Sequence, residues 1–181
     1  KQRLIASFVG LEDALDADIA AYQARLAEVK AEHGDLLATL EVSYLELDRE
    51  DSGVFYMYNT DRAPNYAYRE VIRDLGIPQS ENVMEAARTG LGFDGNWGVA
   101  TASIEVLPEY SADLIFLGMY PDSTVSDNIQ AALDATAAGA AGQVYPGDTL
   151  TWLFHLQHAE LRVLNEIDAI LDAGVENLGD F

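Results

Sequence analysis

Apolar residues recur every three or four positions through Leu4, Phe8, Leu11, Leu15, Ile19, Tyr22, Leu26 and Val29. That spacing draws one stripe along an amphipathic helix. Gly10 interrupts the stripe, so the pattern predicts a short N-terminal helix followed by a long one over 12–33. Gly34 is placed to end it, because a residue without Cβ takes positive φ freely. At 1.5 Å per residue the long helix spans roughly 33 Å, enough to cross a domain.

The period then changes. Leu40, Val42 and the run 45–47 predict a first strand, a charged turn follows over 48–53, and Val54–Tyr58, rich in Val, Phe and Tyr, predicts a second. Asn59, Thr60 and Asp61 are cap residues for a helix whose apolar face is Tyr68, Val71, Ile72 and Leu75, ended by Gly76 and Pro78. Residues 83–87 are ambiguous between helix and strand, and 88–98 read as a glycine-rich loop. Ser103 opens a short helix carrying Glu105 and Leu107, which runs into the wholly apolar strand 114–117. A helix over 126–138, a strand fragment at Val144 and Tyr145, and a closing helix over 151–172 complete the chain. A strand apolar on both faces belongs in a largely parallel sheet covered by helices on each side. The expectation is an α/β three-layer lobe: a small, mostly parallel central sheet flanked by helices and preceded by a long helix.

Composition narrows what such a lobe could do. With 181 residues and 49% apolar content the chain can bury a real core. It has 31 acidic against 10 basic residues, a formal charge of −21, which repels phosphate backbones and argues against a nucleic-acid partner. Cysteine is absent, which removes thiolate chemistry and disulfides. No run of about 20 apolar residues would cross a membrane, and Lys1 in place of Met fits a trimmed product.

Motifs for catalysis are weak. Gly90, Gly92 and Gly95 spell the dinucleotide fingerprint G-x-G-x-x-G, but the mechanism needs a strand before it and a helix opening inside it. A nucleotide-dependent α/β enzyme using the 90–95 loop is the alternative reading, and it predicts a strand ending near Thr89. His155 and His158 lie three apart, yet no third ligand completes a metal set with them, so no metal site is read. No serine sits in a nucleophile elbow. An acidic interaction module is a third reading, and it leaves the aromatic residues near strand ends without a role.

Those residues form the candidate site. In an open α/β sheet, ligands collect outside the carboxyl ends of the strands. Tyr58 and Arg62 follow the second strand, Trp97 sits in the glycine-rich loop, Tyr120 follows the apolar strand, and Trp152 follows the turn at 146–148. Apolar walls with a few polar handles make a usual ligand pocket. Arg62, a cation at a predicted helix start where the dipole disfavours it, is the strongest polar candidate. Arg49 and Arg88 are further cations near this rim.

Five segments in order carry a resemblance: LEDALDADIAAYQARLAEVK, LATLEVSYLEL, YREVIRDLGIP, ASIEVLPEYSADLIFLG and AAGQVYPGDTLTW. Together they resemble the C-terminal lobe of the iron-siderophore substrate-binding proteins of ABC importers, a group that includes cobalamin and haem binders. The resemblance implies an interlobe helix over 1–34 and a ligand-binding lobe over 35–181, the N-terminal lobe being absent from this chain. It implies a non-enzyme without a cofactor that works outside the cytoplasm. Its ligand would be an iron-siderophore complex, or haem or a corrinoid, captured between two lobes and delivered to the ABC permease subunits. Contact with the membrane would come only through a lipid anchor outside this chain. Within the S-I-E-V-L motif the resemblance makes Glu105 the carboxylate that docks on permease arginines, and it draws ligand contacts from Tyr58, Arg62, Trp97, Tyr120 and Trp152. A neutral or cationic complex such as a ferric hydroxamate suits an aromatic, acidic lobe.

Overall fold

The computed structural model describes residues 2–47, 53–58, 66–89, 99–153 and 157–174. A five-stranded mixed sheet stands at the centre, in the order β3-β2-β1-β4-β5. Strands β1 (Val42–Leu47), β4 (Leu114–Met119) and β5 (Val144–Asp148) are parallel neighbours. Strands β2 (Val54–Tyr58) and β3 (Val99–Ser103) extend the sheet antiparallel from β1. The wholly apolar β4 lies beside β1, whose six residues are all buried, including Ser43 and Glu46. Burial on both faces is why neither strand alternates polar with apolar.

Helices cover the two faces. On one side α2 (Glu12–Leu37), α3 (Ala67–Leu75), α7 (Thr149–Leu153) and α8 (Gln157–Gly174) pack on Val42, Tyr44, Leu114 and Phe116. On the other side α4 (Glu81–Thr89), a 3₁₀ helix (Ile104–Tyr110), α5 (Asp127–Asp134) and α6 (Ala137–Ala140) pack on Leu45, Leu47, Phe55, Ile115 and Leu117. Each fully buried Leu, Ile or Phe in these layers stabilises the lobe by about 1.5–3 kcal/mol.

Local sequence sets the ends. Gly76 takes φ 81°, its N–H bonding back into α3, while Ile77 N–H reaches Ile72 O at 3.1 Å. This Schellman-type close is the stop the sequence predicts at Gly76. Ser103 Oγ accepts from Glu105 N–H at 3.3 Å and starts the 3₁₀ helix. Thr136 Oγ1 accepts from Gly139 N–H at 2.9 Å and also donates to Leu133 O. It thereby splits the expected 126–138 helix into α5 and α6.

Several expectations change. The long helix does not stop at Gly34: α2 continues to Leu37, about 39 Å in all, and Gly34 is not among the positive-φ glycines. Residues 83–87 belong to α4, and 99–103, where the sequence reading has only a helix opening at Ser103, form β3. The closing helix is described as two segments, α7 and α8. The helix caps expected at Asn59, Thr60 and Asp61 lie outside the described residues. The first third of the apolar stripe has no cover: on α1 (Gln2–Val9) and just beyond it, Leu4, Ile5, Phe8, Val9 and Leu11 are exposed, Phe8 at 80%.

Candidate ligand-binding site

Four strands point the same way. Because β2 runs against β1, and β3 against β2, the carboxyl ends of β1, β3, β4 and β5 share one rim of the sheet. That rim carries the end of β1 at Leu47, Ser103 and Glu105, Met119 and Tyr120, and the turn from Asp148 into α7. Asp148 orders the turn, with its carboxylate accepting from Leu150 N–H at 3.0 Å and Thr151 Oγ1 at 2.7 Å. The rim is therefore built by backbone direction, and the side chains there are held by rigid strand ends.

Tyr120 and Glu105 are rim residues. Tyr120 follows β4 directly, is half-buried, and lies near enough to Tyr44 to affect its ionisation. Glu105 is exposed on the first turn of the 3₁₀ helix, a position that favours a carboxylate. Tyr58 is placed differently from the sequence reading. Since β2 is antiparallel, its carboxyl end faces away from the rim, and the Tyr58 backbone pairs with Val99 at the start of β3. Its ring nonetheless leans rimward, its hydroxyl donating to the Glu46 carboxylate. Trp152 is 1% exposed and belongs to the packing beneath the rim. Arg62, Trp97, Arg49 and His155 lie outside the described residues, and His158 is exposed.

Beneath the rim the structure assembles an aromatic bed that the sequence reading did not name. Tyr44 is its hub. It stacks on Tyr68 at 4.0 Å between centroids and on Trp152 at 5.9 Å, and meets Tyr58 edge-on at 5.5 Å. Tyr66 stands edge-on to Tyr58 at 5.6 Å, and Phe116 supports Trp152 at 5.0 Å. The indole N–H of Trp152 donates to Glu166 on α8 at 2.6 Å. Such aromatic pairs add about 0.5–1.5 kcal/mol each beyond area burial. The signal in the sequence was density: five of nine tyrosines, at 44, 56, 58, 66 and 68, crowd one short stretch.

Two glycines make room for the bed. A Cβ on Gly118 would meet Thr149 Oγ1 at 2.9 Å and Tyr44 Cζ at 3.0 Å, and would press harder still on the Tyr44 hydroxyl. A Cβ on Gly147 would meet the Trp152 indole at 2.8 Å. The electrostatics keep the phenols neutral. Burial, and next the nearby Glu46 carboxylate, push the Tyr44 and Tyr58 hydroxyls well above their ordinary pKa. Burial also drives Tyr68 up, and Tyr66 follows through burial and Glu46. Tyr68 Oη is buried without a hydrogen-bond partner, while the Tyr44 hydroxyl and Thr149 Oγ1 face each other across Gly118. The bed is closed to solvent, with Tyr44, Tyr68, Phe116 and Trp152 at 2% exposure or less, so it supports the rim from below and holds Glu46 as a buried acceptor. Among the described residues it carries no nucleophile paired with a base.

The fingerprint loop 90–95 lies outside the described residues, but its flanks decide its context. Helix α4 precedes it and strand β3 follows it, the reverse of the strand-then-helix order that points N–H groups at a pyrophosphate. The strand expected to end near Thr89 is a helix, so the nucleotide reading loses its structural premise.

The fold has close counterparts among solved structures. A FhuD-fold periplasmic binding protein component of a Fep/Fec-like ferrichrome ABC transporter from Bacillus subtilis superposes with TM-score 0.72 at 21% identity, over 93% of this chain and 61% of that one. FhuD2 from Staphylococcus aureus with bound ferrioxamine B matches with TM-score 0.70 at 15% identity, over 94% of this chain and 62% of that one. The siderophore periplasmic binding protein from the fuscachelin gene cluster of Thermobifida fusca matches with TM-score 0.71 at 23% identity, over 94% and 58%. The chain thus carries the fold of a siderophore-binding-protein lobe and spans about three fifths of the length of these structures. No protein-family model and no curated protein matches it.

Proposed function

We propose that this chain, which carries a lobe of the FhuD fold, is the ligand-binding lobe of an extracytoplasmic substrate-binding protein. It would capture a ferric siderophore and hand it to an ABC permease. The observation that carries the reading is the coincidence of that fold with a tyrosine-rich bed at the carboxyl rim of its sheet. Tyr120 at the rim and the acidic surface supply an aromatic face, a phenol donor and an acidic setting, chemistry that suits a neutral or cationic ferric hydroxamate over a polyanionic chelate. Haem and corrinoids share the need for flat apolar walls and are the other ligand classes. Tyr120 would touch the ligand directly, and Arg62 and Trp97 remain the further ligand contacts that the resemblance implies. Tyr58 and Trp152 would act from below by fixing the surface the ligand rests on.

The uncovered apolar face of α1 and Leu11 supports a second body beside this lobe. An apolar patch of this kind on a helix end marks an interface. Residues 1–34 would then form the connection to a partner lobe that closes the other side of the ligand. The protein would act by binding alone, outside the cytoplasm, reaching the membrane through its permease and an anchor beyond this chain. Among the described residues no helix is long and apolar enough to cross a membrane.

Glu105 would be the docking carboxylate. It is exposed, faces solvent from a helix start, and is fixed in direction by the Ser103 cap. Glu105→Arg in the full-length protein should leave ferric-siderophore affinity within about twofold, because a rim charge acts mainly on encounter with its partner. Cellular uptake should be abolished. Undiminished uptake by the variant would remove Glu105 from the docking surface, and loss of ligand affinity would move it into the pocket.

A further inference from the structure

Glu46 is a carboxylate buried where the sheet meets the ligand rim. It is the last residue but one of β1 and only 4% exposed. Alternation along the strand puts its side chain on the same face as Tyr44, two residues earlier. The Tyr58 hydroxyl donates to the carboxylate. Tyr56 stands opposite Glu46 on β2, and directly opposite residues share a face of the sheet. Gly118 is its partner on β4, and Tyr120 comes two residues later at the rim. Helix α3 brings in Tyr66. The chain leaving α3 is tied to the start of β1 by the Val42 N–H bond to Pro78 O at 3.0 Å, so α3 descends from the rim and Tyr66, just before its first residue, stands at the upper end. Tyr66 meets Tyr58 edge-on at 5.6 Å. Tyr56, Tyr66 and Tyr120 are half-buried, unlike the closed bed beneath them.

This placement has an electrostatic consequence that the acidic surface alone does not have. Exposed carboxylates are screened by salt within about 8–10 Å. A carboxylate withdrawn from water is screened much less, and its field is stronger because the medium around it polarises weakly. The field reaches the neighbouring rings: after burial itself, Glu46 is the largest cause that lifts the Tyr44, Tyr58 and Tyr66 phenols above their ordinary pKa. Tyrosine rings add to the preference, since their faces attract cations. A ligand group arriving over this part of the rim therefore meets negative potential backed by aromatic surface. An ammonium gains there, and a carboxylate or catecholate loses.

Resting on the ligand-binding reading above, we propose that Glu46 is a specificity-determining residue of the rim. It selects chelates that carry a cationic group, of the alkylammonium kind, and Tyr56, Tyr66 and Tyr120 wall the place where that group lies. The carboxylate acts from beneath the surface and does not touch the metal.

The test compares two ligands that differ in one charge. Ferrioxamine B ends in a primary ammonium, and its N-acetyl derivative is neutral at the same position. The full-length protein is titrated with each ferric complex, and binding is followed by fluorescence quenching. Wild type should bind the ammonium form at least about tenfold more tightly, the size of a charge–charge interaction across ~10 Å at an effective dielectric constant of about 20. Glu46→Gln keeps the shape and an acceptor for Tyr58 but removes the charge, so the two forms should then bind within about twofold of each other. A residue that merely holds Tyr58 in place would change both affinities together and leave their ratio alone. An unchanged ratio in Glu46→Gln would therefore overturn the assignment. Equal affinity of wild type for the two forms would overturn it as well, whether or not the variant folds. If neither form binds, the ferric-hydroxamate reading fails and this inference with it, whereas two forms bound alike sink this inference alone.

Discussion

Replacing Trp152 by alanine should destabilise the lobe severely, although the residue sits just under a binding rim. The indole is almost wholly buried, stacked between Tyr44 and Phe116, with Gly147 holding open the space it fills. Truncating an aromatic ring of this size in a packed core costs about 3–5 kcal/mol in transfer and cavity terms together. The lost N–H bond to Glu166 adds less than about 1 kcal/mol, because that carboxylate is 34% exposed and water can replace the donor. A domain's whole stability is about 5–15 kcal/mol, so the loss is a large share of it. At about 2–4 °C per kcal/mol for a domain of this size, Tm should fall by roughly 6–20 °C. Trp152→Phe keeps most of the stack and should cost only about 1–2 kcal/mol. Urea unfolding followed by far-UV circular dichroism measures both, with the slope m checked for constancy. A Trp152→Ala cost below about 1 kcal/mol, with m unchanged, would refute the placement of this ring in the core.

Gly118→Ala should displace Tyr44 by forcing a Cβ into Thr149 Oγ1 and the tyrosine ring. A cost of about 1–3 kcal/mol is expected, and a neutral substitution in urea melts would mean that Tyr44 does not cross that strand. Tyr120→Ala, at a half-buried position, should change stability by less than about 1 kcal/mol yet weaken ferric-siderophore binding measurably by fluorescence quenching; unaltered affinity would take Tyr120 out of the pocket. Stability should be level from neutral pH to about 9 and then fall. The buried phenols of Tyr22, Tyr44, Tyr58 and Tyr68 have pKa values raised above the unfolded value of 10.0, chiefly by burial. The unfolded chain therefore releases protons first, and the stabilisation present below pH 10 is lost as pH rises beyond it, by about 1.4 kcal/mol per pH unit for each such tyrosine. Urea melts between pH 7 and 11 test this, and native-state tyrosinate absorbance rising at an ordinary pKa for all nine tyrosines would contradict it.

Strong, unambiguous patterns carried the architecture. The run 114–117 has no polar position, so only a doubly covered strand satisfies it, and β4 is that strand. Gly76 followed by Pro78 left the chain of α3 no helical continuation. Weak patterns failed for identifiable reasons. Strand β3, with the sequence VATAS, has small side chains and no clear alternation; pairing with β2 makes it a strand. Gly34 was taken as a stop because glycine tolerates left-handed backbone, but Val29 and Leu37 on either side of it are buried, and packing carries α2 through. The rim positions of Tyr120 and Glu105 were legible because strand ends and helix starts are local features. Tyr58 was misplaced because strand direction is a property of the whole sheet. Tyr44 and Tyr68 were missed because stacking joins residues from β1 and α3, and no local period records it.

Ferric siderophore binding by the full-length protein tests the central claim most directly. Titration with ferrioxamine B, followed by quenching of tryptophan and tyrosine fluorescence, should give saturable one-to-one binding, micromolar or tighter, lost in a Tyr120→Ala and Trp97→Ala double variant. Absence of saturable quenching by ferric hydroxamates, catecholates, haem and cobalamin alike would contradict it.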